Sequence, residues 1–413
     1  MHPQRNELVE QIREKAQGVF LWVYLAVQSL IDSLTNGDGD KTLFKRIDEL
    51  PKTLEDFFQQ MLDQVGRFYK TYSARMLRMA LHAEKEPLSL MTYWYLDLEQ
   101  EDADYAFEMH TLPLEGHEIV ANHKTMTKRI EARCKGLLEV NDSDALGRSL
   151  GLYFGYKVDF LHRTVKEFIL KSQKDLLRDC QDTDASLNAS LCKAYLAQIK
   201  AVPKKRYQEP GWKTVAGQNN PLDILLVRLA HYAKESEQAA GVPQTEVLNE
   251  TETVLNNHSI FWQGRVTEMT FFSYCRQQRL DLYVQERIMQ DPKLAEPGDR
   301  PALDRALSDL SKLDPKVVKR LLEAGANPNE QWENNTIWIR FVELACNANM
   351  SQCNAIPAVM ELLLKRGAEP RKKLKDGTRA CKSIKRTYPQ VEKRLLQSSK
   401  FQWKTPSRRI FMS

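Results

Sequence analysis

The residues with the most chemical capacity lie in "VDFLHRTVKEFIL", residues 158–170. There a single histidine, His162, sits between an alternating apolar run and a helix-like segment. An imidazole in that place can serve as a general base, donate to a phosphate oxygen, or bond the backbone and fix a strand–helix corner. A second concentration of titratable groups comprises His110, His117 and His123 with Glu115 and Glu118. Their spacing fits no metal-ligand motif, and the stretch 97–123 reads as an acidic, loop-like insertion, so no metal is expected there. Carboxylate runs such as "LEQEDAD" read as solvated rather than pKa-shifted. A phosphate-cradling loop needs G-x-x-x-x-G-K-[ST], whereas "NGDGDKT" at 36–42 has its glycines misplaced and carries aspartates, so it reads as a turn. H-E-x-x-H, G-x-S-x-G and G-x-G-x-x-G are all missing. No catalytic constellation is expected, and the chain does not read as an enzyme.

The elements that must position His162 are mostly helical. "ELVEQIREKA" is amphipathic, and "GVFLWVYLAVQSLI" (Gly18–Ile31) is apolar almost all round, which predicts a buried helix. The run 43–65 alternates at helical spacing, broken at Pro51, with Leu54, Phe57, Phe58, Met61, Leu62 and Val65 on one side. "ARMLRMALHA" continues the pattern, with Met76, Leu77, Met79 and Leu81 as core. Pro87 then suits the first turn of a further helix over "EPLSLMTYWYLDLE". The texture changes at Cys134. "GLLEV" (136–140) and "GLYFGYKVDFLH" (151–162) are strand-like and are separated by "NDSDALGRS", which predicts a β-hairpin. Thr164 and Glu167 then form a T-x-x-E capping box for the next helix. Helices, a hairpin and a helix outline a winged-helix domain. Helices with loops at 203–221 and 236–246 follow.

From 296 onward the chain repeats itself. "DPKVVKRLLEAGANPNE" (314–330) has Asp314 as N-cap, Pro315 at the first helical position and Gly325 past the end. "IPAVMELLLKRGAEPRK" (356–372) restates it with Gly367, and "NNTIWIRFVELA" and "DGTRACKSI" fill the slots between. The V-x-x-L-L-x-x-G-A-x-P pattern resembles ankyrin repeats, stretched beyond their usual period of about 33 residues.

At 413 residues with 42% hydrophobic content, the chain can build several cores. Seven scattered cysteines without C-x-x-C fit neither a disulfide framework nor a zinc site, which points to a reducing, cytoplasmic setting. No signal peptide or membrane-spanning run is recognised. Sixteen Lys/Arg against three Asp/Glu from Lys365 onward concentrate the positive charge at the C-terminus. That segment reads as a solvated tail; the alternative is a winged-helix nucleic-acid-binding protein using the basic segment.

"KAQGVFLWVYLAVQSLIDSLTNGD", "LPKTLEDFFQQML", "RCKGLLEV" and "VDFLHRTVKEFIL", in that order and followed by ankyrin-like repeats, resemble the fungal NACHT-domain proteins. These are STAND signalling ATPases related to NOD-like receptors. The resemblance implies a nucleotide switch closed by helical and winged-helix domains, with repeats as sensor and a role in fungal non-self recognition. The Walker A and B elements expected ahead of "GVFLW" are missing, so the expectation is either a fragment or truncated gene model of such a protein or a degenerate member that kept only the regulatory half. The resemblance implies no cofactor unless a NACHT core supplies ATP or ADP, and partners that are proteins, including a full-length family member. It also gives His162 the role of a vestigial ADP-phosphate contact, with Phe160, Glu167 and Phe168 in matching places. Without a P-loop, the residues favour a histidine that fixes the strand–helix corner.

The expected fold class is mainly α: a helical domain (1–70), a winged-helix-like domain with a small β-hairpin (71–175), a helical region (176–295), degenerate ankyrin-like repeats (296–398) and a basic tail (399–413). Thr164, Glu167, Gly325 and Gly367 are the expected structural residues.

Overall fold

A computed structural model describes residues 3–83, 86–142, 153–172, 182–201, 221–257, 270–294, 300–348, 355–389 and 391. The expected tail, the loop at 203–220, Cys180 and Cys353 lie outside the described residues. The fold is mainly α-helical with a small antiparallel sheet.

The N-terminal part runs α1 (Pro3–Ala16), α2 (Phe20–Thr35), α3 (Asp40–Glu49), α4 (Leu54–Asp63) and α5 (Lys70–His82). Pro51 separates α3 from α4, and Thr53 caps α4 by accepting the Asp56 N–H at 3.1 Å. Phe57, Phe58, Leu62 and Val65 are buried, as the periodicity predicts. α2 departs from the expected all-round burial. Trp22, Leu25, Ala26 and Leu30 face the core, while Phe20, Tyr24, Val27, Ile31 and Leu34 are exposed.

The sheet is built from β1 (Leu88–Ser89), β2 (Leu138–Asp142) and β3 (Tyr156–Phe160), in the order β1-β3-β2 and antiparallel throughout. Between β1 and β2 lie α6 (Leu90–Leu98), α7 (Tyr105–Glu108) and α8 (Gly116–Cys134). The expected hairpin is β2–β3, in register Val140 with Val158. Pro87 does not begin the following helix: Leu88 and Ser89 pair with Val158 and Lys157, and Ser89 caps α6. The expected acidic loop at 97–123 is also corrected. Tyr105–Glu108 is α7, and from Gly116 the stretch is the start of α8, entered through a capping box between Glu115 and Glu118.

α9 (Arg163–Ser172) leaves the sheet. α10 (Asp184–Ala201), α11 (Pro221–Ala240), α12 (Thr245–Asn257), α13 (Phe271–Gln277) and α14 (Asp281–Gln290) follow. α11 runs to Ala240 and α12 starts at Thr245, so the loop predicted at 236–246 shortens to the link between them. α10 packs against α5, α6, α7, α11 and α12, and Leu187, Leu191, Ala194 and Leu196 are fully buried. One cluster of buried apolar residues includes members from Ala16 to Val284.

A second core gathers Leu282 to Val391 around α15 (Ala302–Ser308), α16 (Pro315–Glu323), the ribbon β4 (Gln331–Trp332)–β5 (Asn335–Thr336), α17 (Ile337–Asn347), α18 (Ile356–Lys365) and α19 (Ala380–Thr387). The internal repeat is physical. α15, α17 and α19 stack as one layer, and α16 and α18 as the other. Both second-layer helices end in the same cap. Ala326 N–H donates to Leu321 O at 2.9 Å and Ala368 N–H to Leu363 O at 3.0 Å, with Gly325 and Gly367 at φ +86° and +93°. Those left-handed positions favour glycine, which has no Cβ to strain. Asn329 ties the units together, donating from Nδ2 to Gly367 O at 2.8 Å and accepting the Glu369 N–H at 3.0 Å. Trp338, fully buried, donates from Nε1 to Glu369 O at 3.0 Å.

Candidate functional site

His162 lies at the junction of β3 and α9, exposed. Its Nδ1 stands 3.0 Å from the Thr164 hydroxyl and accepts the Thr164 backbone N–H at 3.3 Å. Its carbonyl accepts the Val165 N–H at 3.0 Å. The ring is therefore the N-cap of α9, with both donors on Nδ1 and the ring proton assigned to Nε2. The expected Thr164–Glu167 capping box is corrected. Thr164 is already the second helical residue, so Glu167 lies exposed beyond the first turn, too far along to reach the cap. Behind the corner, Leu161 N–H donates to Leu137 O at 3.1 Å, and the Phe168 ring packs on Phe58 with centroids 5.5 Å apart. His162 thus spends its acceptor on a structural cap and keeps one outward donor.

The three histidines of 110–123 are not brought together as ligands. His110 and His117 are exposed, and His117 Nδ1 lies 3.3 Å from Glu115. His123 is buried edge-on against Tyr156, with centroids 5.1 Å apart and Nε2 unbonded, and burial lowers its pKa to about 4. Among the described residues, no group of three or more His, Cys, Asp or Glu could hold a metal ion. No described helix is long and apolar enough to cross a membrane.

A concavity lies on the α15–α17–α19 layer. It is a groove of about 540 Å³ whose lining includes Leu307, Phe341, Leu344 and Leu374. Asp304 and Arg386 also line it. Its polar side is preorganised. Asp304, nearly fully buried, accepts Arg300 Nε at 2.6 Å and Arg340 Nε at 2.9 Å, while Arg340 also reaches Glu333. Glu343 accepts the Lys375 N–H at 2.7 Å and so fixes the turn at the far side. Cys346 also lines the groove, and burial raises its thiol pKa, away from the reactive thiolate. Apolar surface flanked by fixed charges of both signs suits a polypeptide better than a small anion.

Sequence reasoning marked the segments that hold Arg340, Leu344 and Asp376 as repeat slots but did not find the groove. Its walls come from three helices that only the stacking brings together.

Residues 64–209 match a family model described as a domain of unknown function (DUF7791). The matched stretch holds the sheet, the His162 corner and α10. No curated protein and no solved structure matches the chain.

Proposed function

We propose that this chain is a non-catalytic regulatory and sensor module that binds another protein through the groove on its C-terminal repeats. The carrying observation is that groove, in which apolar side chains such as Leu344 lie among polar ones and the Asp304–Arg300–Arg340 bridges are in place before any partner arrives. Such preorganisation lowers the ordering cost of binding and suits recognition of an extended peptide or loop. The stacked helix pairs support an ankyrin-like reading of the repeats, since both units share one cap and one inter-unit tie. In this reading the module belongs to a STAND receptor of NACHT type, cytoplasmic and fungal, serving non-self recognition. The motif order "GVFLW", "LPKTLEDFF", "KGLLEV" and "DFLHRTVKEF" supports that assignment. His162, used as a helix cap, supports a corner role over a phosphate contact.

A display library of short peptides, selected against the full chain, tests the reading. Peptides should enrich against the wild type and lose binding to Leu344→Asp, which charges an exposed part of the floor. Failure to enrich, or equal binding to the variant, contradicts the assigned site.

A further inference from the structure

α2 exposes Phe20 (90%), Tyr24 (44%), Val27 (38%), Ile31 (46%) and Leu34 (56%) in a single stripe. Their spacing of four, three, four and three residues is the seam of a coiled coil, not the broader stripe of a helix packed on one core. The opposite stripe is already occupied by Trp22, Leu25, Ala26 and Leu30. The exposed stripe is therefore a second apolar face on a helix that has satisfied its first. Asp32 is the helix's only charged residue and stands off the seam.

We propose that this seam pairs with the same seam of a second copy of the chain, as two antiparallel α2 helices related by a two-fold axis at Val27. Three observations favour a second copy. An antiparallel pairing centred on Val27 sets Phe20 opposite Leu34 and Tyr24 opposite Ile31, so every large side chain meets a complementary one and the small residue lies on the axis. The uncharged flanks, Gln28 and Thr35, offer neither repulsion between copies nor a charge pattern to select a different partner. The area also suffices. On the scale of about 150–250 Å² for an aromatic side chain, the five residues with neighbouring Val19 expose on the order of 600 Å² per copy, so a pair buries about 1,200 Å², the threshold of a stable interface. A patch of that size is at the upper end of what a monomer leaves in water. The Tyr24 hydroxyl donates to Glu139 at 3.3 Å. The seam shares no residue with the repeat groove, so it stands independently of the function proposed above.

Sedimentation equilibrium of the full chain over about 1–100 μM tests this. The wild type should show a monomer–dimer equilibrium, and Val27→Asp, which sets two carboxylates together on the axis, should raise the dissociation constant at least about tenfold. Val27→Cys should cross-link to a disulfide dimer under mild oxidation, because the axis brings the two positions together. That variant decides the matter even if Val27→Asp disturbs folding. A wild type monomeric throughout the range, a dimer indifferent to Val27→Asp, or a dimer without the Val27→Cys cross-link overturns the proposal.

Discussion

Replacing Gly367 by alanine isolates the backbone term of the repeat cap. The residue sits at φ +93° with nothing within 4 Å of an added Cβ, so the substitution introduces no clash. Only the left-handed conformation is penalised, at about 1–2 kcal/mol for a residue with a Cβ. That should raise local exchange of the cap amides about fivefold to thirtyfold, and asparagine, which tolerates the left-handed region, should recover much of the loss. Hydrogen exchange of the segment around α18 reads the effect, and the α16 segment with Gly325 intact serves as an internal reference. At Gly325 the same alanine also meets the Met289 thioether, which is half-exposed and can swing away, so the cost there should be somewhat larger. If Gly367→Ala leaves exchange unchanged, or if Gly367→Asn is no better than alanine, the left-handed cap is not what holds the repeats' form.

Asp304→Asn should destabilise the C-terminal core by about 1–3 kcal/mol in urea unfolding, less than for a fully buried pair because Arg300 and Arg340 both reach water. His123, with its pKa lowered to about 4 by burial, binds a proton more readily unfolded than folded. Its stability contribution is therefore complete above the ordinary imidazole value near 6.5 and is lost as pH falls from there toward 4. His123→Phe should flatten the thermal-stability profile across that window, and an unchanged profile contradicts the assignment. Calorimetry with ADP should show no binding and ATP no turnover; micromolar ADP affinity that disappears in His162→Ala contradicts the corner role of that histidine.

What the sequence makes legible is what local chemistry determines. Asp314, Pro315 and Gly325 state the start and end of α16 within one short stretch, and the left-handed glycines follow from the same grammar. The β2–β3 hairpin is readable because turn formers separate two strand-like runs. β1 is not, since two residues are too few to alternate and only pairing with β3 makes Leu88 and Ser89 a strand. α8 hides for a different reason. Its buried seam of Ile119, His123, Met126, Ile130 and Cys134 includes a histidine, so the apolar stripe is broken until burial reveals it. At His162 two capping solutions compete, and the ring nitrogen takes the cap two residues ahead of Thr164. The groove leaves no local trace, because Asp304, Leu344 and Arg386 lie on different helices.

The most direct measurement is the hydrogen-exchange footprint of a display-selected peptide on the full chain. Slowed exchange over 337–347 and 374–387, the helices and turn that wall the groove, is the predicted result. Protection confined to 163–172 at the His162 corner, or none on the repeats, would contradict a protein-binding sensor built on the groove.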